Sequence, residues 1–374
     1  MSSNDSVKAF AADDRRAFLM LRVLRALAVL AASVGAFLGT CLIFDAIFPE
    51  RELPWSIQER TNFLKARDGK YDALFLGSSR VGDNIVPATF DRELAEHGFA
   101  IQSFNAGVSG MHPPQDACLL DLILELKLKR IRWVFVELQT LELKQAGSDV
   151  QTLQQLYWHD WPRFRLLCDA LLAPRERDHW RMRVTLDRWP DFYSHTLLFA
   201  RRFVSLGRGA ALLNRWVSSE AEEPARQWDP GLEERDGWQP AGVKRVRKEK
   251  EIAALEDILK KRRKSPPVRE FGDSATLKAL DLMVAKIQSA GATPILFVPP
   301  TARETYFFPD PARTPHLVIL NFCNLEKYPE LYETKNRLDT SHLNPDGAQI
   351  FTRLLADRFA ELPAIREAFS TAPP

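Results

Sequence analysis

The chain has 374 residues, enough for one α/β domain with an insertion or for two domains, and its 51 basic and 49 acidic residues leave a formal charge of +2. A balance of that kind carries no global footprint for nucleic acid. The 4 cysteines (Cys41, Cys118, Cys168 and Cys323) are scattered with no CxxC pair, so neither a zinc cluster nor a disulfide scaffold is expected, though one bridge stays open.

Residues 1–17 are polar, and Arg15, Arg16, Arg22 and Arg25 gather ahead of an uncharged run from Ala26 to Phe44. At about 1.5 Å per residue such a run crosses a hydrocarbon core of about 30 Å, with residues 18–21 and 46–48 contributing at its edges. The pattern predicts a cytoplasmic tail over 1–22 and a signal-anchor helix over 23–48. The arginines on the first side put the remainder outside the cytoplasm. Two rivals stand beside this reading. One is a cleaved signal peptide, although the apolar run continues past the small residues Ala32–Ala36. The other is a buried core helix.

Residues 49–143 carry the first half of an α/β pattern. After a short linker, helical spacing covers 55–66, and 71–76 is an apolar strand that empties into Gly77-Ser78-Ser79-Arg80. Two readings are open there. The serines cap the next helix, or Ser79 is a nucleophile at the strand end, where open α/β sheets keep their chemistry. A helix over 87–97 and a short strand over 101–105 follow, ending in Ala106-Gly107. Gly107 is either an ordinary turn glycine or one that turns its N–H into a pocket as an oxyanion donor. A helix over 113–126 leads to a third strand over 131–136, nearly continuous in apolar residues as befits a sheet covered on both faces. Glu137-Leu138-Gln139-Thr140 closes it, with Glu137 suited to a site or to a plain salt bridge.

The pattern changes over 144–269, where aromatic and basic residues interleave and helical runs occupy 164–172 and 197–217. His159, His179 and His195 share no metal-ligand spacing and read as surface or packing residues. The tryptophans mark a groove wall, a membrane-facing patch or a partner surface, or else the core of a small helical subdomain. Residues 218–242 read as a loop, followed by a helix through Lys264. The cationic side of that helix is a solvated face, or a contact for anionic lipid or acidic glycan.

The α/β pattern resumes over 270–374 with a helix at 273–290, strands at 294–298 and 316–321, and a helix at 348–362. Ahead of the last helix stands Asp339-Thr-Ser-His342. A carboxylate three positions before a histidine can accept from one imidazole nitrogen and leave the other free to take a proton from a serine hydroxyl. A helix cap is the simpler use of the same residues. Beside a serine at one strand end and a glycine at the next, the dyad gives Ser79 a base.

These blocks, in this order, resemble the SGNH (GDSL-like) hydrolase superfamily, and within it the membrane-anchored extracytoplasmic members related to DltD and to polysaccharide O-acyl transfer proteins. The resemblance covers about 71–140 and 273–360 and leaves the insertion outside. It implies Ser79 as nucleophile and oxyanion donor in Gly77-Ser78-Ser79, Gly107 as second donor in Asn105-Ala-Gly107, and Asp339 and His342 as orienting acid and base. Where the family carries an asparagine donor this chain has Gln139, whose amide donates from one methylene further out. The implied fold is a three-layer α/β/α sandwich with a mostly parallel five-stranded sheet, a helical insertion and one amino-terminal transmembrane helix. The implied activity is that of a periplasmic serine esterase or O-acyltransferase, held in the bacterial inner membrane by a single pass. It would act through an acyl-serine on acetyl or other small acyl esters of a cell-envelope polysaccharide, with a multi-span membrane O-acyltransferase as a partner. No cofactor, metal or nucleic acid is implied, and Gly77-Ser-Ser-Arg80 lacks the glycine spacing and lysine of a nucleotide-binding loop. Two further classes stay open. One is a non-catalytic envelope protein of the same fold that binds glycan or a membrane partner. The other is a lipase or thioesterase, which needs a deep apolar cleft.

Overall fold

The computed structural model describes residues 3–47, 53–141, 143, 153–172, 188–203, 230–241, 249–271, 274–312 and 314–370. The amino-terminal helix α1 (Ser3–Ile47) is continuous, so the expected boundary between tail and anchor is not a break in the backbone. Its stretch Phe18–Ile43 has a mean hydropathy of 2.2 and is 6 % buried. An apolar helix left that bare is no core helix. It is long and apolar enough to span a membrane once.

Among the described residues seven strands follow in chain order: β1 (Ala73–Leu76), β2 (Ser103–Asn105), β3 (Trp133–Glu137), β4 (Val268–Glu270), β5 (Thr293–Val298), β6 (Thr305–Phe307) and β7 (Ile319–Asn321). Five of them form one sheet in the order β2-β1-β3-β5-β7, and β4 pairs with β6 in a separate two-stranded sheet. Every pairing is parallel, so the large sheet is wholly parallel. The short β4–β6 pair was not legible: three residues are too few to show a period.

The alternation of side chains divides the core. Leu74, Leu76, Val134, Val136, Leu296 and Val298 enter one apolar cluster, and Phe75, Trp133, Phe135, Ile295 and Phe297 the other. In chain order the remaining helices are α2 (Trp55–Ala66), α3 (Ser79–Gly82), α4 (Pro87–Glu96), α5 (Pro113–Glu125), α6 (Leu153–Leu156), α7 (Trp161–Leu172) and α8 (Trp189–Phe203). They continue with α9 (Pro230–Glu234), α10 (Glu249–Lys264), α11 (Ser274–Ser289), α12 (Pro345–Ala360) and α13 (Pro363–Ser370). Apolar residues of α2, α5 and α11 join the first cluster, and those of α4 and α12 join the second. The sheet is thus covered by helices on both faces, as an all-parallel sheet demands.

The described parts of the middle segment divide among several clusters: Leu166 and Ala170 pack with Leu141, Ala275 and Ala279, and Phe164 of α7 stacks on Phe199 of α8 at 4.4 Å. Tyr157, Trp158, Leu167 and Leu232 enter the first cluster, and Leu255 and Leu259 the second. These helices thus add to the layers of the sheet while α7 and α8 also pack on one another. His159 and His195 are fully buried and meet at 2.9 Å between Nε2 and Nδ1. Their outer nitrogens face the carbonyls of Gln155 at 2.6 Å and Leu143 at 3.0 Å. Burial, with His195 alongside, holds His159 down to about 3. These two histidines are packing residues; His179 lies outside the described residues. Residues 230–241, expected as loop, include α9 and dock on the end of β2, where the Asn105 N–H donates to Asp236 O at 2.9 Å. Gly237 makes that approach at φ +91°: a Cβ there would lie 2.1 Å from Asn105 O.

Candidate active site

Strand order 2-1-3 places the chain's switch of direction between β1 and β3, and the carboxyl ends of those strands are where an open α/β sheet leaves a crevice. β1 delivers Gly77, Ser78 and Ser79 to that edge. Gly77 sits at φ +155°, and a Cβ on it would fall 2.5 Å from Glu137 Oε2 and 2.6 Å from Glu137 Cβ. Glycine is therefore needed where the backbone passes the end of β3. The two serines then divide the roles left open by the sequence. Ser78 is the N-cap of α3, its Oγ accepting from the Arg80 N–H at 3.2 Å. The half-buried Ser79 keeps its hydroxyl free of capping and donates it to His342 Nε2 at 2.8 Å.

His342 arrives from the loop between the short 3-10 turn Thr334–Asn336 and α12. Its Nδ1 donates to Asp339 Oδ2 at 2.9 Å, which fixes the proton on Nδ1 and leaves Nε2 as the acceptor toward Ser79. Asp339 Oδ1 also accepts from the backbone N–H groups of Ser341 at 2.7 Å and His342 at 2.9 Å. Burial pushes the Asp339 carboxyl up, but the His342 hydrogen bond and those N–H groups outweigh it and hold the group below its ordinary value.

Two residues that sequence reasoning passed over fasten this loop. Arg337 is fully buried and spends its guanidinium on carbonyls: Asp339 O at 3.0 Å, Thr340 O at 2.8 Å and Leu331 O at 2.9 Å. Asn84, just beyond α3, accepts from the Leu343 N–H at 3.0 Å. The serine and histidine segments are thereby tied to each other directly as well as through the Ser79–His342 hydrogen bond.

Glu137 ends β3 in a buried ion pair with Arg80 at 2.6 Å and accepts from the Ser78 N–H at 2.7 Å. Of its two sequence readings, the salt bridge is what the structure displays, and its partner is the residue next to Ser79. Behind it, Asp116 is pushed well above its ordinary value by burial and by the Glu137 charge. Gln139 donates its amide to Glu137 Oε2 at 3.1 Å and to Asp116 Oδ2 at 3.3 Å. The Gly107 N–H donates to Asn105 Oδ1 at 3.0 Å, while the Asn105 amide bridges the carbonyls of Val81 and Ile85 at 2.8 and 2.7 Å. Of the three expected oxyanion donors, then, Gly107 and Gln139 have protein acceptors in this state, and the Ser79 N–H stands at the open first turn of α3. Gly107 has a packing role besides, since a Cβ there would lie 2.4 Å from Gly82 N.

Asp83, at the end of α3, is a further titratable group at the edge. Burial raises its carboxyl to about 6, with His342 drawing it down and Asp339 pushing it up. The 230–241 segment reaches the same turn: the Trp238 indole N–H donates to Asp83 O at 2.8 Å, and the Gln239 N–H to Gly82 O at 3.0 Å. No local pattern could have announced a tryptophan so distant in sequence; Asp83, one turn after Ser79, was visible by helical spacing. Among the described residues one set, Glu93, His97 and Asp357, brings metal-ligand atoms within 4.8 Å of one another. It bridges the outer surfaces of α4 and α12, and His97 already bonds Asp357 at 2.8 Å.

Chemically, a serine hydroxyl in contact with a neutral imidazole whose far nitrogen is held by a carboxylate can deprotonate as it attacks an electrophilic carbonyl. The chain matches no family model and no curated protein.

Proposed function

We propose that the protein is a serine esterase or O-acyltransferase of the SGNH-hydrolase type. Its catalytic part would lie on the periplasmic side of the bacterial inner membrane and act on acetyl or similar small acyl esters of a cell-envelope glycan. The observation that carries this reading is the continuous chain from Ser79 Oγ through His342, at 2.8 Å, to Asp339, at 2.9 Å. His342 Nε2 takes the Ser79 proton as Oγ bonds to the ester carbonyl carbon. The Ser79 N–H receives the developing oxyanion. As the tetrahedral centre collapses, the leaving alcohol departs with the proton from Nε2 and the acyl group stays on Ser79. Water or a sugar hydroxyl then repeats the sequence in reverse and frees the serine. For Gly107 and Gln139 to join the oxyanion hole they must exchange their present acceptors for the substrate oxygen, and Asn105 and Glu137 are the groups they would release.

That engagement of Gly107 and Gln139 favours a second reading, a non-catalytic envelope protein that keeps the fold to bind glycan or a membrane acyltransferase. Fluorophosphonate labelling separates the two. The full-length wild type is expected to be labelled and to hydrolyse small acetyl esters, and Ser79→Ala to do neither. Equal turnover by both proteins, or no labelling of either, discards the catalytic reading.

A further inference from the structure

Helix α8 buries one side and leaves the other bare. His195 and Leu198 are fully buried, whereas Trp189, Tyr193 and Leu197 are 56 %, 59 % and 39 % exposed. These three recur every fourth residue and so form one stripe along the helix. Trp161, which opens α7, is 60 % exposed and stands 5.8 Å, ring to ring, from Phe199 of α8, flanking the stripe. A single exposed apolar side chain is ordinary; two tryptophans, a tyrosine and a leucine together are a surface made to be covered. Tryptophan and tyrosine carry an apolar body and a polar tip, and they suit the layer where hydrocarbon meets water.

The amino-terminal helix says what covers it. Leu53 packs on the main apolar cluster and α1 ends at Ile47, so the connecting chain spans no more than about 22 Å even when fully extended. Any membrane that α1 crosses therefore lies within that reach of the globular part. His195, on the inner side of α8, donates its Nε2–H to Leu143 O at 3.0 Å, which ties α8 to the segment that follows the end of β3 by six positions. We propose that the surface formed by Trp161, Trp189, Tyr193 and Leu197 rests in the headgroup layer of the bilayer that α1 spans, holding the Ser79 edge beside the membrane. The exposed Arg165, one turn along α7 from Trp161, adds a cation for lipid phosphate. An acyl donor or acceptor for this edge would then be presented at the membrane surface. The contact rests on α1 being a span and is independent of whether Ser79 reacts.

The test uses the full chain in nanodiscs of phosphatidylethanolamine and phosphatidylglycerol, with or without bromine on the acyl chains near the headgroup. The emission of the two exposed tryptophans is the difference between wild type and the W161Q/W189Q variant. It is expected to fall about twofold or more in brominated discs, as shallow insertion of an interfacial helix requires. Difference emission that bromine leaves unchanged overturns the proposal, whether aqueous iodide quenches it (a bare surface) or does not (one covered by protein). Should W161Q/W189Q lose the wild-type circular dichroism spectrum, Tyr193→Trp serves instead, its added emission being read in the same way. Co-elution of the chain with the discs reports α1 alone, so unquenched emission from co-eluting protein refutes the surface contact and not the span.

Discussion

Replacing Asp339 with asparagine strikes the proposed site at the atom that orients its base. In the wild type Oδ2 accepts from His342 Nδ1 at 2.9 Å, and Oδ1 accepts from the Ser341 and His342 N–H groups. Asparagine can keep an oxygen for the two backbone donors, but its NH2 then faces Nδ1. The imidazole answers by carrying its proton on Nε2, which points at Ser79 Oγ across 2.8 Å and can no longer accept from it. The wrong tautomer at a serine–histidine–carboxylate site costs about 10⁴ in kcat, or about 5.5 kcal/mol of transition-state stabilisation. Steady-state hydrolysis of a small acetyl ester by the full chain, with Ser79→Ala as background, should show that loss in kcat with KM little changed. A rate within about tenfold of wild type refutes the triad assignment. The same variant should lose part of the acid sensitivity of the fold. The Asp339 carboxyl is held below its ordinary value of 3.8, so the unfolded chain takes up the proton first as the pH falls. Its stabilisation is present above about pH 4 and disappears as the pH drops through the folded-state value. A melting temperature that falls on acidification as steeply in Asp339→Asn as in wild type contradicts this.

Asp83→Asn tests the second carboxyl at the edge. With its proton held until about pH 6, Asp83 is neutral below that pH and negative above it, where it favours a positive imidazole. The variant should match wild type near pH 5 and fall severalfold behind it near pH 8; a constant ratio across that range removes Asp83 from the mechanism. Gly107→Ala would press a methyl against Gly82 N at 2.4 Å and Val81 Cβ at 2.8 Å, and overpacking of that kind costs about 3 kcal/mol. Denaturant unfolding should show the loss, and unchanged stability would refute the packing role, since alanine keeps the backbone N–H that a donor role needs.

Much of this arrangement was legible because burial and periodicity speak through local sequence. The runs Ala73–Leu76 and Trp133–Val136 are apolar without interruption, and an apolar run that stops at glycine or a polar residue marks a strand end. The pairing of Ser79 with His342 was reachable because a serine needs a base and the chain offers a histidine with its own carboxylate. What stayed hidden is what those residues do with their remaining hydrogen bonds. Nothing local in Gln139 announces that its amide faces two buried carboxylates, since Asp116 lies on another helix. Asn105 two positions before Gly107 was the readable exception, because asparagine side chains commonly take the N–H two residues on. The middle segment misled for a related reason. An amphipathic helix shows that it has a buried side but not which layer it joins, and Trp158 and Leu255 turned out to join opposite faces of one sheet.

The fastening of α12 to the start of the chain has a consequence for the order of events during synthesis. Thr352 Oγ1 accepts from the Val86 N–H at 3.0 Å, Thr89 donates to Gln349 at 3.0 Å, and Asn84 receives Leu343. The proposed nucleophile Ser79 is made early and its proposed base, His342, 263 positions later. Because domains fold from the amino terminus as they emerge, the strand and turn that present Ser79 can form while no imidazole exists to activate it. Chains cut short before His342 would carry the serine and lack both its proposed base and the helix α12 that follows it. On the proposed mechanism, reactivity would double as a report of completion, switched on when the carboxyl-terminal part of the chain arrives.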